Sequence, residues 1–330
     1  MYLPKIKLLL PESIPEAARL LLEHGPAGRL VAGGTDLFPR MKYGVTRAEA
    51  LISLHRRVPE KPAVDENGSL HLDTFMTLAD LVRSPEIKAR ALSLTEAAHS
   101  VASNQIRNMA TLGGNICQDS RCLYYNQSHT YQFMDPCFKR GGDQCYFLAK
   151  GTRCWAVLMS DAATALVSLA AQVIVTGAAG NRTVPIEQLF SGDPIAPLTR
   201  EPDQIISGVV IPRISNDQGT AFRKFSLRGG LDYPVINVAV ALSMANGSQT
   251  CSEVRVVLGA VSAAPVRATK AEEALTGQRL SEELCRAAAG AAASEVSIFP
   301  RDGFSVPYLR KCVEVYTAEA LATAHQRASC

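Results

Sequence analysis

The sequence predicts an α+β fold in two domains, and three observations carry that reading. Short apolar runs alternate with amphipathic stretches and glycine turns before residue 212. The segment Pro212 to Gly219 is turn-rich, with Asn216, Asp217 and Gly219. Beyond it, three strand-like runs precede three helix-like ones. With 330 residues, 47% of them apolar, the chain can bury a core without staples. Its 20% charged residues and formal net charge of +3 leave no footprint for nucleic acid. The longest apolar stretch, Ala162 to Val175, follows Asp161 and carries Thr164, Ser168 and Gln172, so it predicts buried structure rather than a membrane span. The opening MYLPKIKLLLPES lacks a secretory pattern, and nine cysteines, an odd number, suit a reducing compartment; the expected location is cytoplasmic.

In chain order, Ile6 to Leu10 reads as a strand stopped by Pro11. Ser13 can cap a helix, with Glu16 three residues on and Ile14, Ala17, Leu20 and Leu21 at helical spacing before Gly25-Pro26. Arg29 to Ala32 reads as a strand entering the turn Gly33-Gly34-Thr35-Asp36 and a second helical segment. Leu70, Leu72 and Phe75 suggest a strand after the Asn67-Gly68 turn. Thr77 can cap a helix starting at Leu78, and Leu92 to Ala102 predicts another. Val173 to Thr176, with a turn at Gly180-Asn181, predicts a hairpin. In the second domain Ala221 to Leu227, Val235 to Met244 and Val254 to Val261 predict strands, the last two joined through Asn246-Gly247-Ser248. Ala268 to Leu275, Ser281 to Ser294 and Pro307 to His325 predict helices on one side of a three-stranded antiparallel sheet.

Two paired-glycine turns, at Gly33-Gly34 and Gly113-Gly114, can aim consecutive N–H groups inward as an anion-binding nest, although either alone can be a plain tight turn. Neither fits G-x-G-x-x-G, so the ordinary Rossmann site is not encoded. Between the second turn and Ser160-Asp161 lies a polar, loop-like stretch holding Cys122, Cys137, Cys145 and Cys154, spaced Cys-x14-Cys-x7-Cys-x8-Cys. Four thiolates on one metal centre would offset the entropy of ordering such a loop. An iron–sulfur cluster, a zinc ion and unligated thiols all stay open on spacing, though the close cysteine pairs of structural zinc sites are missing. Cys251, Cys285, Cys312 and Cys330 show no ligand spacing, and the first three suit buried packing. His24, His55, His71, His99, His129 and His325 form no paired arrangement, and no nucleophile–base set supports hydrolysis.

Val31-Ala32-Gly33-Gly34-Thr35-Asp36-Leu37, the run Gln105 to Ile116, Ser160-Asp161, then Lys224, Arg228, Asp232, Leu258-Gly259-Ala260-Val261 and Pro265 to Ala268 together resemble the molybdenum hydroxylase flavoprotein subunits. That family includes xanthine dehydrogenase and the carbon monoxide dehydrogenase medium subunit, and the resemblance spans almost the whole chain. It implies a two-part FAD-binding domain of the PCMH or vanillyl-alcohol-oxidase-like type at 1–213, with subdomains of about 1–55 and 56–213, and a C-terminal flavoprotein domain at 214–330. In the family the Gly-Gly-Asn turn meets Ser-Asp within about ten residues; here residues 118–158 intervene and carry all four cysteines. That insertion resembles the branch of 4-hydroxybenzoyl-CoA reductases, whose β subunits hold an extra [4Fe–4S] cluster.

The resemblance implies FAD contacts from Arg29, Val31, Ala32, Gly33, Gly34, Thr35, Asp36, Leu37, Ser103, Gln105, Ile106, Asn108, Thr111, Gly113, Gly114, Asn115, Asp161 and Lys224, and cluster ligation by Cys122, Cys137, Cys145 and Cys154. In it, Ala32 to Asp36 and Thr111 to Asn115 cradle the pyrophosphate with backbone amides, Asp161 accepts from a ribose or adenine donor, and Lys224 reaches the flavin ring. Cys117 packs near the flavin, and Tyr124, Tyr125, Tyr131 and Phe133 cover the cluster. The implied function is a flavin and iron–sulfur oxidoreductase subunit in anaerobic aromatic degradation. It would pass electrons from a low-potential donor such as ferredoxin toward separate [2Fe–2S] and molybdenum-cofactor subunits, in a heterohexamer with two copies of each chain. A flavoprotein passing electrons outward to NAD or a quinone, and a zinc-stapled interaction module, are the alternatives.

Overall fold

The first helix starts where the sequence supplies its cap. Ser13 Oγ accepts the Glu16 N–H at 3.3 Å, and Gly25, at φ +50°, ends α1 (Ile14–His24). In the computed structural model, which describes all residues except 1–2, 55–56, 129–133, 216, 246–247 and 329–330, α1 packs Ala17, Ala18 and Leu21 onto a small parallel sheet of order β1-β3-β2. Its strands are β1 (Lys7–Leu9), β2 (Gly28–Val31) and β3 (Ala50–Ser53). The readings made for His55, His129, Tyr131, Phe133, Asn216, Asn246-Gly247 and Cys330 lie outside the described residues.

A second, antiparallel sheet has the order β4-β5-β8-β6-β7, from β4 (Ala63–Val64), β5 (Leu70–Asp73), β6 (Gln172–Gly177), β7 (Gly180–Pro185) and β8 (Ile205–Ile211). It shares its core with α3 (Leu78–Arg83), α5 (Leu92–His99) and α8 (Asp161–Ser168), the last buried along its whole length as its apolar run predicts. Thr77 caps α3 by accepting the Asp80 N–H at 3.0 Å. The hairpin forms, but Gly177 pairs with Gly180, so Ala178-Ala179 make the turn and Gly180-Asn181 open β7. The central strand β8 was not anticipated: it is buried on both faces and shows no period-2 alternation. Leu92 to Ala102 forms a helix only to His99. The short helices α4 (Pro85–Arg90), α6 (Asn104–Arg107) and α7 (Leu112–Ile116) also went unread.

The third sheet has the order β12-β11-β10-β9, antiparallel throughout, from β9 (Gln218–Phe225), β10 (Ile236–Met244), β11 (Cys251–Gly259) and the two-residue β12 (Val266–Arg267), which joins the three expected strands. Along β10 the side chains alternate as strand geometry demands. Val238, Val240 and Leu242 face α9 (Thr269–Leu275), α10 (Glu282–Glu295) and α11 (Val306–Ala328), whereas Ala239 and Ala241 join the core of α5 and α8. Small residues on that second face let the sheet approach α8 closely. Among the described residues no helix is long and apolar enough to cross a membrane.

The tightest point of this approach is Gly259, where a Cβ would stand 2.0 Å from Asn237 Oδ1 and 2.1 Å from Thr164 Oγ1. Gly259→Ala is therefore expected to lower stability by about 1–3 kcal/mol through overpacking, read as a lower midpoint in urea unfolding.

Candidate functional site

β2 delivers the chain into the first glycine turn, and α2 (Leu37–Lys42) carries it away. A Cβ on Gly33 would lie 1.7 Å from Met109 O, and Gly34 takes φ +71° with Phe38 pressed against it, so neither position tolerates a side chain. The N–H groups of Gly33, Gly34, Thr35 and Asp36 meet no protein acceptor among the described residues. Amides left without acceptors in a glycine turn are available to an anion. The second turn differs. Leu112 N–H donates to Met76 O at 3.0 Å, Gly113 N–H to Thr74 O at 2.8 Å, Gly114 N–H to Thr111 Oγ1 at 3.1 Å and Asn115 N–H to Thr111 O at 2.9 Å. Gly113-Gly114 thus sit in helix α7 with their amides spent inside the fold, which corrects the expected cradle of amides from Thr111 to Asn115.

Both turns border one cleft of about 960 Å³. Of the residues expected to hold FAD, Arg29, the run Val31 to Leu37, Ile106, Thr111, Gly113, Gly114, Asn115 and Asp161 line it. Ser103 instead caps α6 by accepting the Ile106 N–H, and Gln105 and Asn108 are exposed beside it, off the cleft. Lys224 also stays off the cleft wall. Its ammonium donates to Asp161 Oδ2 at 2.8 Å, Ser100 O at 2.9 Å and Asp232 O at 3.1 Å. All three donors are spent, which corrects the expected reach to a flavin ring. Asp161, its side chain 3% exposed, accepts from Lys224 and Ser100 on one oxygen and from Asn237 Nδ2 at 2.6 Å on the other. Burial pushes its carboxyl above the usual range, against the pull of Lys224, Asn237 and Ser100. This carboxylate is a structural anchor before it is a ribose acceptor.

The cleft wall carries arginines that sequence reasoning missed, Arg40, Arg121 and Arg200 among them. Arg40 and Arg121 pair with Asp36 and, in the case of Arg40, with Asp119 at 2.6 Å. Arg29 and Arg200 have no carboxylate partner among the described residues and donate only to carbonyls. Burial, then the charges of Arg40 and Arg200, hold the Arg29 guanidinium below its ordinary pKa. Like charges gathered without a counter-ion make this end of the cleft a site for an anion. The signal in the sequence was too weak to find them, because Arg200 lies 171 positions from Arg29 and only folding brings them together.

The insertion is clasped at its base by a bridge in which Arg121 N–H donates to Val157 O at 2.7 Å and Val157 N–H to Arg121 O at 3.0 Å. Its far part packs Phe147 and Trp155 edge-on against Phe299, at 5.4 and 5.5 Å between centroids. Asp119, Arg121 and Tyr125 give it a share of the cleft wall, so Tyr125 faces the cleft, while Tyr124 lies tilted against Tyr146. Cys117 also lines the cleft, and burial pushes its thiol up. Cys122, Cys137, Cys145 and Cys154 are half-buried free thiols. Burial raises the pKa of Cys122, and Cys145 and Cys137 add to the rise; burial likewise raises Cys154, with Cys122 and Cys137 adding and Lys139 opposing. The four share one neighbourhood, and as soft sulfur donors they suit an iron–sulfur centre. Among the described residues no three His, Cys, Asp or Glu side chains already stand in a metal-holding group.

Lys224→Met leaves Asp161 buried without its cation and is expected to cost about 3–5 kcal/mol at pH 8. The unpaired carboxyl ionises less readily folded than unfolded, so the deficit grows as pH rises above the unfolded carboxyl pKa and shrinks on acidification. Urea unfolding at pH 8 and pH 5, with Asp161→Asn added as a partial rescue, checks this.

Residues 4–214 match the FAD binding domain in molybdopterin dehydrogenase, and residues 220–324 match the CO dehydrogenase flavoprotein C-terminal domain. The nicotine 6-hydroxylase medium subunit of Paenarthrobacter nicotinovorans is 30% identical over 90% of this chain and 89% of its own length. The carbon monoxide dehydrogenase medium chain of Hydrogenophaga pseudoflava is 28% identical over 88% of this chain and 86% of its own. A solved structure of the carbon monoxide dehydrogenase from that organism superposes with a TM-score of 0.80 at 25% identity, covering 99% of both chains. On these matches, the chain belongs to the FAD-binding flavoprotein family of the molybdopterin-dependent dehydrogenases.

Proposed function

We propose that the chain is the flavin and iron–sulfur electron-transfer subunit of a molybdenum-containing 4-hydroxybenzoyl-CoA reductase, an oxidoreductase that removes the ring hydroxyl of its thioester substrate. The observation that carries this reading is the insertion, which gathers Cys122, Cys137, Cys145 and Cys154 in one loop and builds part of the cofactor cleft. Its partners are a molybdenum-cofactor subunit, a [2Fe–2S] subunit and ferredoxin as donor, with two copies of each subunit. The division at 213/214 separates the FAD-binding domain from the C-terminal one.

When bound, FAD and a [4Fe–4S] cluster supply two-electron and one-electron exchange respectively. The chain's residues supply the rest. The Gly33 to Asp36 amides would hold the pyrophosphate, and Arg29 and Arg200 would offset its charge. Cys122, Cys137, Cys145 and Cys154 would hold the cluster through their sulfurs. Tyr125 and Cys117 keep water from the cleft side of the insertion.

A second reading, an FAD subunit sending electrons outward to NAD or a quinone, is favoured by the relatives, which are named as medium chains or subunits of a carbon monoxide dehydrogenase and a nicotine 6-hydroxylase. A zinc-stapled interaction module loses its ground once the chain belongs to an FAD-binding family.

Iron and flavin analysis of the full chain, prepared without oxygen, separates the first two readings. The native chain is expected to hold about four irons and about one FAD, and Cys137→Ala to lose nearly all iron while still binding FAD at saturating flavin. Iron that survives Cys137→Ala rejects the ligand assignment, and a native chain with FAD alone favours the second reading. Arg29→Gln and Arg200→Gln are each expected to weaken FAD binding about tenfold, or ~1.4 kcal/mol, measured by quenching of flavin fluorescence.

A further inference from the structure

We propose that Lys139 is a positioning residue that couples the four-thiol loop to the FAD cleft through a ladder of alternating charges, so that filling either site tightens the other. The proposal rests on reading the four cysteines as a cluster site.

Lys139 is a lysine whose side chain is 2% exposed, an arrangement that proteins keep only when the charge is matched. It lies two residues after Cys137, in the short turn Phe138–Arg140. Its ammonium donates to Asp119 Oδ1 at 2.8 Å, Ser120 Oγ at 2.7 Å and Pro194 O at 2.5 Å, and sits 5.1 Å from the centre of the Tyr125 ring. Asp119 turns its other oxygen to Arg40 at 2.6 Å. Arg40 stands on α2 and reaches Asp36 at 3.7 Å, in the turn that bears the free amides. Asp36 also pairs with Arg121, whose backbone clasps the base of the insertion and whose guanidinium lies 4.2 Å from the centre of the Tyr233 ring. The ladder therefore runs from the cysteine loop to the nest and back to the loop.

Two features make this a coupling element rather than a simple brace. Arg40, Asp119 and Arg121 are only 17–18% exposed, so solvent screens their interactions weakly. Among the described residues Arg40 Nε and Arg121 Nε are buried without a partner, which leaves each guanidinium an unspent donor facing the ladder. A centre held by Cys137 and Cys145 would fix the turn between them, and Lys139 stands in that turn. Asp119 and Arg40 carry that constraint to Asp36 and the turn at 33–36. Binding free energies linked in this way are reciprocal.

The test uses the full chain without oxygen, loaded with ferric iron, sulfide and a thiol reductant or stripped by a chelator, with FAD affinity read from flavin fluorescence. Iron loading is expected to tighten FAD about tenfold, and saturating FAD to tighten iron retention against the chelator by the same factor. In Lys139→Met, and in the near-isosteric Asp119→Asn should the first not fold, iron uptake persists and the tightening shrinks below about twofold. Equal FAD affinity in loaded and stripped protein, or full tightening in both variants, overturns the coupling. A chain that takes up no iron overturns the cluster reading along with it, so iron content tells the two failures apart.

Discussion

The buried carboxylate of Asp161 is the point on which the architecture turns. It opens α8, lies on the floor of the cleft and holds Lys224 of β9 and Asn237 of β10, while Ser100, just past α5, completes the ring. A charge taken out of water demands partners in fixed places, so these contacts specify where the third sheet sits against α5 and α8 rather than adding much net stability. Ser160, immediately before it, caps α8 and donates to Asn115 Oδ1 at 2.8 Å, which ties the second glycine turn to the same node across the insertion. The pairing of Asn115 with Ser160-Asp161 thus survives 40 or so intervening residues because it is made in space.

With the floor fixed, the cleft divides its labour between backbone and side chains. One glycine turn offers amides without acceptors among the described residues, and the other is folded into a helix that packs the wall. Arg29 and Arg200 bring charge that nothing in the described chain neutralises, whereas Arg40 and Arg121 are tied into carboxylates. The insertion is part of this wall. Arg121 ties it to Asp36 on the cleft side, and Phe147 and Trp155 pack it on Phe299, in the loop between α10 and α11.

Local signals were legible where a few neighbouring residues decide the outcome. Ser13 and Thr77 cap the helices they predict, Gly33 and Gly34 make the turn they predict, and the apolar run from Val235 to Met244 gives the strand it predicts. The family, too, could be read from motifs in order. Signals failed where burial erased periodicity, as in β8, or where a helix was too short to show a period, as in α4, α6 and α7.

Side-chain roles divided along the same line. The sequence by itself determined which residues were available: paired glycines for a nest, a lysine on a strand, four cysteines in a polar loop. Only the tertiary structure decided what each one meets. Lys224 could have faced a ligand or a carboxylate, and it faces Asp161 because 63 residues of separation close to 2.8 Å on folding. Arg29, Arg40 and Arg200 become one cluster only when sheets far apart in the chain come together. Partnership depends on distances that the order of residues does not encode locally, and electrostatic and hydrogen-bonding free energies fall steeply over an ångström or two.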